Sequence, residues 1–288
     1  MKQSKVQEYL RPQTLQEAVV LYAAHPGPIS VIAGGTDIFT ADHLDLAALL
    51  DVDKLGLAYI RETGGRLAIG AAATFAEIGK CPLIREKFTA LYEAARCLAD
   101  MTTRNMATIG GNICTALPSG DSISPLVAGE ARFLVLGVAG EKSYTAEEFF
   151  LGPRRTVLGK GDILVEIQLP ASGEGEASAF EKMGRNSEDL AIVNVAVKLK
   201  VNPDGTVAEA AVAHGAVAPV VVRSTALEQW LIGKKLCESC LDEACSLVDQ
   251  AIAPIDNLRA TAEYRREISR VLTKRALLRA YAAAGRRA

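Results

Sequence analysis

The pattern of hydrophobic positions changes character near residue 175 of this 288-residue chain. Before that point, short apolar runs typical of strands alternate with stretches whose apolar residues have helical spacing. The predicted strands are residues 30–33, 66–70, 132–136 and 163–169, and residues 82–98 have helical spacing. Strands that alternate with helices favour an α/β organisation for this half.

Three helix starts in this half carry the same signature. Thr14, Thr74 and Thr145 are each followed three residues later by a glutamate. In a capping box the threonine hydroxyl accepts from the third backbone N–H, and the glutamate accepts from the threonine N–H. We therefore predict helices that begin directly after these three threonines.

A boundary and a hairpin follow. Residues 171–177 are small, flexible and charged, which is typical of a junction between two units. Residues 191–201 and 206–217 are rich in β-forming side chains, and the intervening Asn-Pro-Asp-Gly at 202–205 is a turn sequence. This combination predicts a β-hairpin.

From Ser224 onward the pattern indicates helices, with breaks at Gly233 and Pro254. A sheet followed by helices is an α+β arrangement, so we predict that the chain as a whole is α+β. Its 288 residues and 49% hydrophobic content suffice for two compact domains.

Charge and hydropathy narrow the possible partners and location. The formal net charge is -2, so no basic field is present to attract nucleic acid or an anionic membrane. No uncharged run reaches the length of a membrane span, and residues 1–14 are not followed by the apolar segment of a signal peptide. We therefore expect a soluble cytoplasmic protein that binds no nucleic acid.

Two diglycine segments are candidate ligand loops. Residues 33–37 read Ala-Gly-Gly-Thr-Asp directly after a predicted strand, and residues 108–112 read Thr-Ile-Gly-Gly-Asn. Adjacent glycines let a backbone approach a ligand closely, and successive N–H groups can bind an anion. Neither segment matches Gly-x-Gly-x-x-Gly or a P-loop, and either alone is more often an ordinary turn. Together, the two can hold both ends of one pyrophosphate through backbone N–H bonds.

Asp121 adds an acceptor to these loops. It follows Gly111 by ten residues, after the small residues Pro118-Ser-Gly120. A carboxylate in this position can accept from a ribose hydroxyl, as acidic residues do in other dinucleotide sites. A surface aspartate beside a glycine turn is the alternative.

The two loops resemble the flavin loops of the FAD-binding medium subunits of molybdenum hydroxylases, the family of xanthine, nicotinate and carbon monoxide dehydrogenases. The resemblance covers nearly the whole chain. Beyond the loops it includes Arg104-Asn105, Asp121, Asp162–Ile167, Phe180–Lys182, Arg185, Asp189–Ala191 and Tyr264–Arg266.

The resemblance implies an α+β fold in two domains. A two-subdomain α/β FAD-binding domain of the PCMH type would occupy residues 1–174, with subdomains at about 1–57 and 58–174. A small antiparallel sheet with helices, like the C-terminal domain of carbon monoxide dehydrogenase flavoproteins, would occupy residues 175–288.

The resemblance also assigns residues to FAD, bound noncovalently. Asp121 would bind the ribityl or ribose hydroxyls, and the Leu164 backbone and the Lys182 side chain would lie near the isoalloxazine ring. The pyrophosphate would be held by Ile32, Ala33, Gly34, Gly35, Thr36, Asp37 and Ile38 together with Thr108, Ile109, Gly110, Gly111 and Asn112.

The function implied by the resemblance is electron transfer within a heterotrimer. A large subunit would hold the molybdenum cofactor and a small subunit would hold two [2Fe–2S] clusters. Electrons would pass from the clusters through FAD to NAD or a quinone-like acceptor. Thr36-Asp37 resembles the xanthine and nicotinate type more than the carbon monoxide dehydrogenases, which tend to have His-Ser there. No catalytic or metal-binding residue is expected on this chain.

Two other functions stay open. One is a stand-alone reductase with the same flavin fold, such as the enolpyruvyl-sugar reductases, which would need its own substrate acid and pocket. The other is a non-catalytic flavin-binding assembly factor. Only the electron-transfer subunit requires molybdenum and iron–sulfur partners, so co-purification discriminates among the three.

Cys237, Cys240 and Cys245 have a spacing like that of iron–sulfur ligands. No fourth cysteine is close, and the surrounding leucines indicate the start of a helix. We interpret this cluster as structural. Disulfides are not expected in a long chain that we predict to be intracellular.

Overall fold

The computed structural model describes residues 6–39 and 45–286. The strands are β1 Glu8–Leu10, β2 Ile29–Ile32, β3 Ala48–Asp51, β4 Ile60–Thr63, β5 Arg66–Gly70, β6 Arg132–Gly137, β7 Gly140–Thr145, β8 Phe150–Gly152, β9 Arg155–Thr156, β10 Ile163–Pro170, β11 Glu176–Met183, β12 Val193–Val201, β13 Val207–Gly215 and β14 Val222–Arg223.

The helices are α1 Leu15–Ala24, α2 Phe75–Ile78, α3 Pro82–Lys87, α4 Thr89–Cys97, α5 Met101–Met106, α6 Ile109–Thr115, α7 Ile123–Ala128, α8 Ala146–Phe149, α9 Thr225–Leu231, α10 Glu238–Ala244 and α11 Ala262–Ala284, with a 3₁₀ helix at Cys245–Gln250. Within these described elements, no helix combines the length and apolar character needed to cross a bilayer.

Three main sheets organise the chain, and they confirm the α+β prediction. The first has the order β1-β3-β2 and is parallel. The second has the order β4-β5-β10-β6-β7 and is antiparallel, and the third, β11-β12-β13-β14, is also antiparallel. Among the described strands, parallel pairing is therefore confined to the first sheet, and β8 and β9 form a small two-stranded ribbon.

The predicted helix starts are confirmed. At Thr74 and Thr145 both bonds of the capping box form. At Thr14 the hydroxyl accepts from the N–H of Glu17 at 3.1 Å. The Glu17 carboxylate accepts from the N–H of Gln13 at 2.7 Å, so this cap is not reciprocal.

The stretch with helical spacing at 82–98 forms two helices, α3 and α4, instead of one. They meet at Phe88, whose backbone leaves the helical region (φ -152°, ψ 75°) and whose side chain is buried in the main core. The apolar spacing alone does not mark this break, because Phe88 belongs to the same buried face as its neighbours.

The predicted hairpin is confirmed as β12 and β13. The N–H of Asn202 donates to the Thr206 carbonyl at 2.8 Å, and Gly205 has φ +86°. Alternation along the third sheet gives it two buried faces. Ala196 and Ala213 pack into the core shared with the second sheet, while Val195 and Val212 pack into the core that contains α9 and α11.

His214 lies on the helix-facing side of β13, two residues after Val212. Its side chain is fully buried, and neither ring nitrogen has a hydrogen-bond partner among the described residues. Burial lowers the pKa of His214 from 6.5 to about 3. The neutral ring is therefore the form that fits the folded protein.

We expect His214→Leu to make the protein less sensitive to acid. Between pH 6.5 and 3 the unfolded chain binds a proton at His214 that the folded chain excludes, so the free energy of unfolding falls as the pH falls. At pH 5 the free energy of unfolding of the wild type should be lower than at neutral pH by about 2 kcal/mol because of His214. Urea unfolding at pH 7.5 and pH 5 measures it. An unchanged pH dependence in His214→Leu would contradict the prediction.

Candidate functional site

Both diglycine segments and Asp121 border one cleft of about 440 Å³. The cleft is bordered by the C-terminal end of β2, the start of α6 and the loop after β11. The lining includes Ser30–Ile38, Leu98, Ala99, Thr103, Ala107, Thr108, Gly111, Asn112, Cys114, Thr115, Leu117, Ser119–Asp121, Arg154 and Glu188–Leu190.

Glycine is needed at the two positions of the first loop for different structural reasons. A Cβ on Gly34 would lie 1.7 Å from the carbonyl oxygen of Met106, so glycine allows this loop to pack against the end of α5. Gly35 has φ +69°, a conformation that side chains disfavour, and a Cβ there would meet the Phe39 ring at 2.8 Å.

The second segment is the first turn of α6. Thr108 is the N-cap, and its hydroxyl accepts from the N–H of Gly111 at 3.1 Å. The N–H groups of Ile109 and Gly110 donate to the carbonyls of Ala73 and Ala71. This differs from the expectation that both segments offer backbone N–H groups to a pyrophosphate, because the N–H groups here already have protein acceptors.

Gly110 and Gly111 therefore have separate roles. A Cβ on Gly110 would meet the Ala71 carbonyl oxygen at 2.5 Å, so this glycine allows α6 to pack on the chain after β5. Gly111 lines the cleft, and a Cβ there would meet only the Thr108 hydroxyl, at 3.0 Å. Asn112 also lines the cleft and brings a side-chain amide to it.

Arg154 is a cleft residue that sequence reasoning missed. It lies in the turn between β8 and β9 with φ +57°, and its guanidinium donates to the Asp37 carboxylate at 3.0 and 3.4 Å. The Thr115 hydroxyl lies 3.4 Å from the same carboxylate. Among the described residues that line this cleft, Arg154 is the only basic one. It can therefore offset the charge of an anionic ligand.

Asp121 and Lys182 form a buried ion pair. Lys182 Nζ lies 2.6 Å from Asp121 Oδ2, and the two side chains are 7% and 4% exposed. Lys182 also donates to the Cys97 carbonyl at 3.1 Å. Burial raises the pKa of Asp121 to about 6, although Lys182 opposes the shift. The carboxylate thus has a protein partner in addition to any ligand hydroxyl.

Buried hydrogen bonds support this pair and the nearby side chain of Asn112. Asn194 on β12 donates to Asp121 Oδ1 at 3.5 Å, and the Ser124 hydroxyl donates to Asn194 Oδ1 at 2.6 Å. The Ser122 hydroxyl donates to the Asn112 side-chain oxygen at 2.7 Å. Asn194, Ser122 and Ser124 are fully buried. These bonds orient the Asp121 carboxylate and, separately, the Asn112 side chain.

A second cleft of about 890 Å³ adjoins the first. Ala99 and Glu188 border both clefts, while Asp121 lines the first and Lys182 lines the second. Ala99 has φ +41°, and Arg104 donates to its carbonyl and to that of Leu98. The ion pair therefore stands at the junction of the two clefts.

Most of the residues assigned to FAD line the first cleft, but four do not. Ile109 and Gly110 are buried beneath it, and Lys182 lines the second cleft. Leu164 lies in the main core, beside an irregularity in β10, and borders neither cleft. Leu164 therefore packs in the same core as Ile109, beneath the clefts instead of along them.

The three C-terminal cysteines lie outside both clefts. Cys237 is the N-cap of α10, Cys240 is its third residue and Cys245 is buried. In residues 6–39 and 45–286, no group of three or more His, Cys, Asp or Glu side chains is placed to hold a metal ion.

These residues fit an elongated dinucleotide such as FAD. The two adjoining clefts have the volume typical of ligand pockets. The Gly111 backbone is open on the cleft side, so a phosphate can approach it closely. Arg154 supplies positive charge, and Asp121 supplies an acceptor for a hydroxyl.

Comparison with known proteins agrees with this fit. Residues 4–172 match the FAD binding domain in molybdopterin dehydrogenase, and residues 178–280 match the CO dehydrogenase flavoprotein C-terminal domain. The chain is 31% identical to the carbon monoxide dehydrogenase medium chain of Hydrogenophaga pseudoflava, over 96% of this chain and 97% of that one. It is 30% identical to a putative xanthine dehydrogenase FAD-binding subunit of Escherichia coli (strain K12), over 96% and 97%.

A solved structure shows the same fold. The chain superposes on carbon monoxide dehydrogenase from Hydrogenophaga pseudoflava lacking the Mo-pyranopterin moiety, with a TM-score of 0.91 and 32% identity, over 96% of this chain and 98% of that one. Since the matches span both halves of the chain, it belongs to the FAD-binding medium subunits of the molybdenum hydroxylases, the oxidoreductase family of carbon monoxide, xanthine and nicotinate dehydrogenases.

Proposed function

We propose that this chain holds FAD noncovalently across the two adjoining clefts and passes electrons from the [2Fe–2S] clusters of a partner subunit to NAD or a quinone-like acceptor. The observation that carries the proposal is the buried Asp121–Lys182 pair at the junction of the clefts. It places a fixed, opposite pair of charges where a ligand that occupies both clefts must pass. A flavin accepts single electrons and releases a pair, which is the chemistry needed between clusters and such an acceptor.

The first cleft would hold the pyrophosphate. Gly111 gives it close backbone approach, and Gly35, with its positive φ, shapes the turn of the first loop. Arg154 gives it a cation at a position already oriented by Asp37. Asn112, oriented by Ser122, offers a side-chain amide. The remaining acidic side chains of the cleft would then accept hydrogen bonds from ligand hydroxyl groups. Their negative charge would disfavour additional phosphates.

The partners would be a large molybdenum-cofactor subunit and a small iron–sulfur subunit. The medium-chain relatives support this assembly. Thr36-Asp37 supports a xanthine-dehydrogenase-type holoenzyme, while the overall identities to carbon monoxide and xanthine dehydrogenase subunits, 31% and 30%, do not separate the two types. We also propose that the domain boundary lies near residue 174, in the loop between β10 and β11.

The test begins with the flavin itself. We expect the purified chain, denatured with acid, to release a yellow supernatant whose flavin migrates as FAD in chromatography. FMN would contradict a site that spans both clefts, and flavin that stays with the precipitated chain would contradict noncovalent binding. Affinity purification from native cells, with metal analysis, should recover molybdenum and iron in associated chains.

The same holoprotein tests the direction of electron flow. The isolated chain, reduced with dithionite, should be reoxidised by NAD or by a quinone analogue but should not oxidise N-heterocyclic substrates. Turnover of such a substrate by the isolated chain would favour a stand-alone enzyme. Recovery of the chain without molybdenum or iron partners, together with no reoxidation by either acceptor, would favour an assembly factor.

A further inference from the structure

Cys237 and Cys240 face each other across the first turn of α10. The N–H of Cys240 donates to Cys237 Sγ at 3.4 Å, and the N–H of Cys237 donates to Cys240 Sγ at 3.1 Å. Cys240 Sγ also lies 3.0 Å from the Cys237 carbonyl oxygen. The two thiols thus occupy the positions that threonine and glutamate occupy in the other capping boxes of this chain, and both sulfur atoms lie against the same short backbone segment.

The two thiols differ in access. Cys237 is exposed and Cys240 is partly buried, while Cys245, further along the chain, is buried. A disulfide requires Cα atoms about 4.4–6.8 Å apart and Cβ atoms about 3.5–4.5 Å apart. Because Cys237 is the N-cap, with an extended backbone (φ -138°), its side chain already folds back over the turn that carries Cys240. Both sulfur atoms therefore lie against the first turn of α10, each within 3.4 Å of a backbone atom of the other cysteine.

We propose that Cys237 and Cys240 are a redox-active dithiol that exchanges with low-molecular-weight disulfides, with Cys237 as the attacking thiol and Cys240 as the resolving thiol. The site lies outside both flavin clefts. It does not rest on the assignment of the FAD residues.

The exchange balances in two steps. The Cys237 thiolate attacks one sulfur of the small disulfide, forms a mixed disulfide and releases the first small thiolate, which takes up a proton. The Cys240 thiolate then attacks Cys237 Sγ and releases the second small thiol. Two cysteine thiols are oxidised to one disulfide, and the small disulfide is reduced to two thiols.

The electrostatic surroundings agree with this order of attack. Hydrogen bonds with Ser239 and Cys240 lower the pKa of Cys237, while burial raises the pKa of Cys240. Burial raises the pKa of Cys245 to about 11. An accessible thiol with a lowered pKa reacts first, because the thiolate is the nucleophile.

Oxidation should leave the rest of the fold in place. Lys274 pairs with Asp242 of α10, and Arg270 pairs with Asp249 of the 3₁₀ helix, so α11 holds this region independently of the thiols. Leu241 is fully buried in the same core. Flavin content and circular dichroism should therefore be the same in the reduced and oxidised protein.

The experiment treats the full-length protein with oxidised glutathione, traps free thiols with N-ethylmaleimide and maps the peptides by mass spectrometry. Wild type should acquire a Cys237–Cys240 disulfide that dithiothreitol reverses. Cys240→Ser should stop at a stable glutathione adduct on Cys237. Cys237→Ser should react at Cys240 at least about tenfold more slowly, because the more accessible thiol with the lower pKa is absent.

Cys245→Ser is the matched control and should form the disulfide at the wild-type rate. Circular dichroism of each variant verifies that it is folded. Three results would each overturn the proposal: a persistent glutathione adduct in wild type without an internal disulfide, a disulfide that includes Cys245, or equal rates for Cys237→Ser and wild type.

Discussion

Gly111→Val should weaken FAD binding by roughly a hundredfold without lowering the stability of the protein. Gly111 is in the first turn of α6 and lines the cleft, and an added Cβ would meet only the Thr108 hydroxyl. Valine is also a better helix former than glycine. The branched side chain would project to the point where a phosphate approaches the backbone. An overlap that costs about 3 kcal/mol corresponds to a loss of roughly a hundredfold in affinity.

The neighbouring glycine gives the opposite expectation. Gly110→Val would place its Cβ 2.5 Å from the Ala71 carbonyl oxygen, so the fold itself should be destabilised, by about 1–3 kcal/mol or more. Gly173→Val is the control, because no atom lies within 4 Å of a Cβ there. It should change neither stability nor flavin content.

Two measurements separate these expectations. Flavin-to-protein ratio after purification, with titration of FAD into apoprotein, reports binding, and urea unfolding of the apoprotein reports stability. A Gly111→Val protein that retains FAD at the wild-type ratio would show that the second diglycine segment serves only the packing of α6. Loss of stability in Gly111→Val but not in Gly110→Val would contradict the assignment of the two glycines.

The features that could be predicted from the sequence are those that depend on residues close together along the chain. A capping box spans four residues, and the hairpin at 202–205 needs only a turn sequence between two β-rich runs. Both appear in the structure where the sequence predicts them. The diglycine segments were found for the same reason, since each is a contiguous signal.

Contacts between distant residues could not be predicted in this way. Arg154 meets Asp37 across 117 positions, and Asn194 meets Asp121 across 73. No local pattern distinguishes Arg154 from other arginines. The resemblance to the family did single out Asp121 and Lys182, but only the fold shows that these two residues form a pair.

The sequence also could not show why glycine is needed at each position of the two diglycine segments. Gly34 and Gly110 are required by a close backbone neighbour, whereas Gly35 is required by its left-handed conformation and Gly111 faces the cleft. A diglycine signal is the same in each case. The packing partners, Met106 and Ala71, become visible only when the elements are assembled.

The charges of the Asp121–Lys182 pair should influence the redox potential of the flavin, so the removal of either charge should shift that potential. Breaking a buried pair by removing one partner leaves an uncompensated charge and costs about 3–5 kcal/mol of stability. It also changes the field at a ligand that passes the junction of the clefts. A unit charge about 10 Å away contributes about 1–2 kcal/mol at an effective dielectric constant of about 20. For a two-electron couple that is roughly 20–40 mV.

The two single variants should therefore shift the potential in opposite directions. Lys182→Met leaves the Asp121 carboxylate, which disfavours anionic reduced flavin, so the potential should fall. Asp121→Asn leaves the Lys182 ammonium, so the potential should rise. The double variant removes both charges and should return close to the wild-type potential, with part of the lost stability restored.

The pH dependence distinguishes this electrostatic effect from a change of shape. In the wild type, burial already raises the pKa of Asp121 to about 6, and the removal of Lys182 takes away the charge that opposes this shift. In Lys182→Met the carboxyl should therefore be neutral at pH 6, and the fall in potential should be larger at pH 8.5 than at pH 6. Dye-coupled reductive titration of each FAD-loaded variant at both pH values measures the shifts. Shifts of the same sign in both single variants, or a Lys182→Met shift that is independent of pH, would show that the pair shapes the clefts without setting the charge at the flavin.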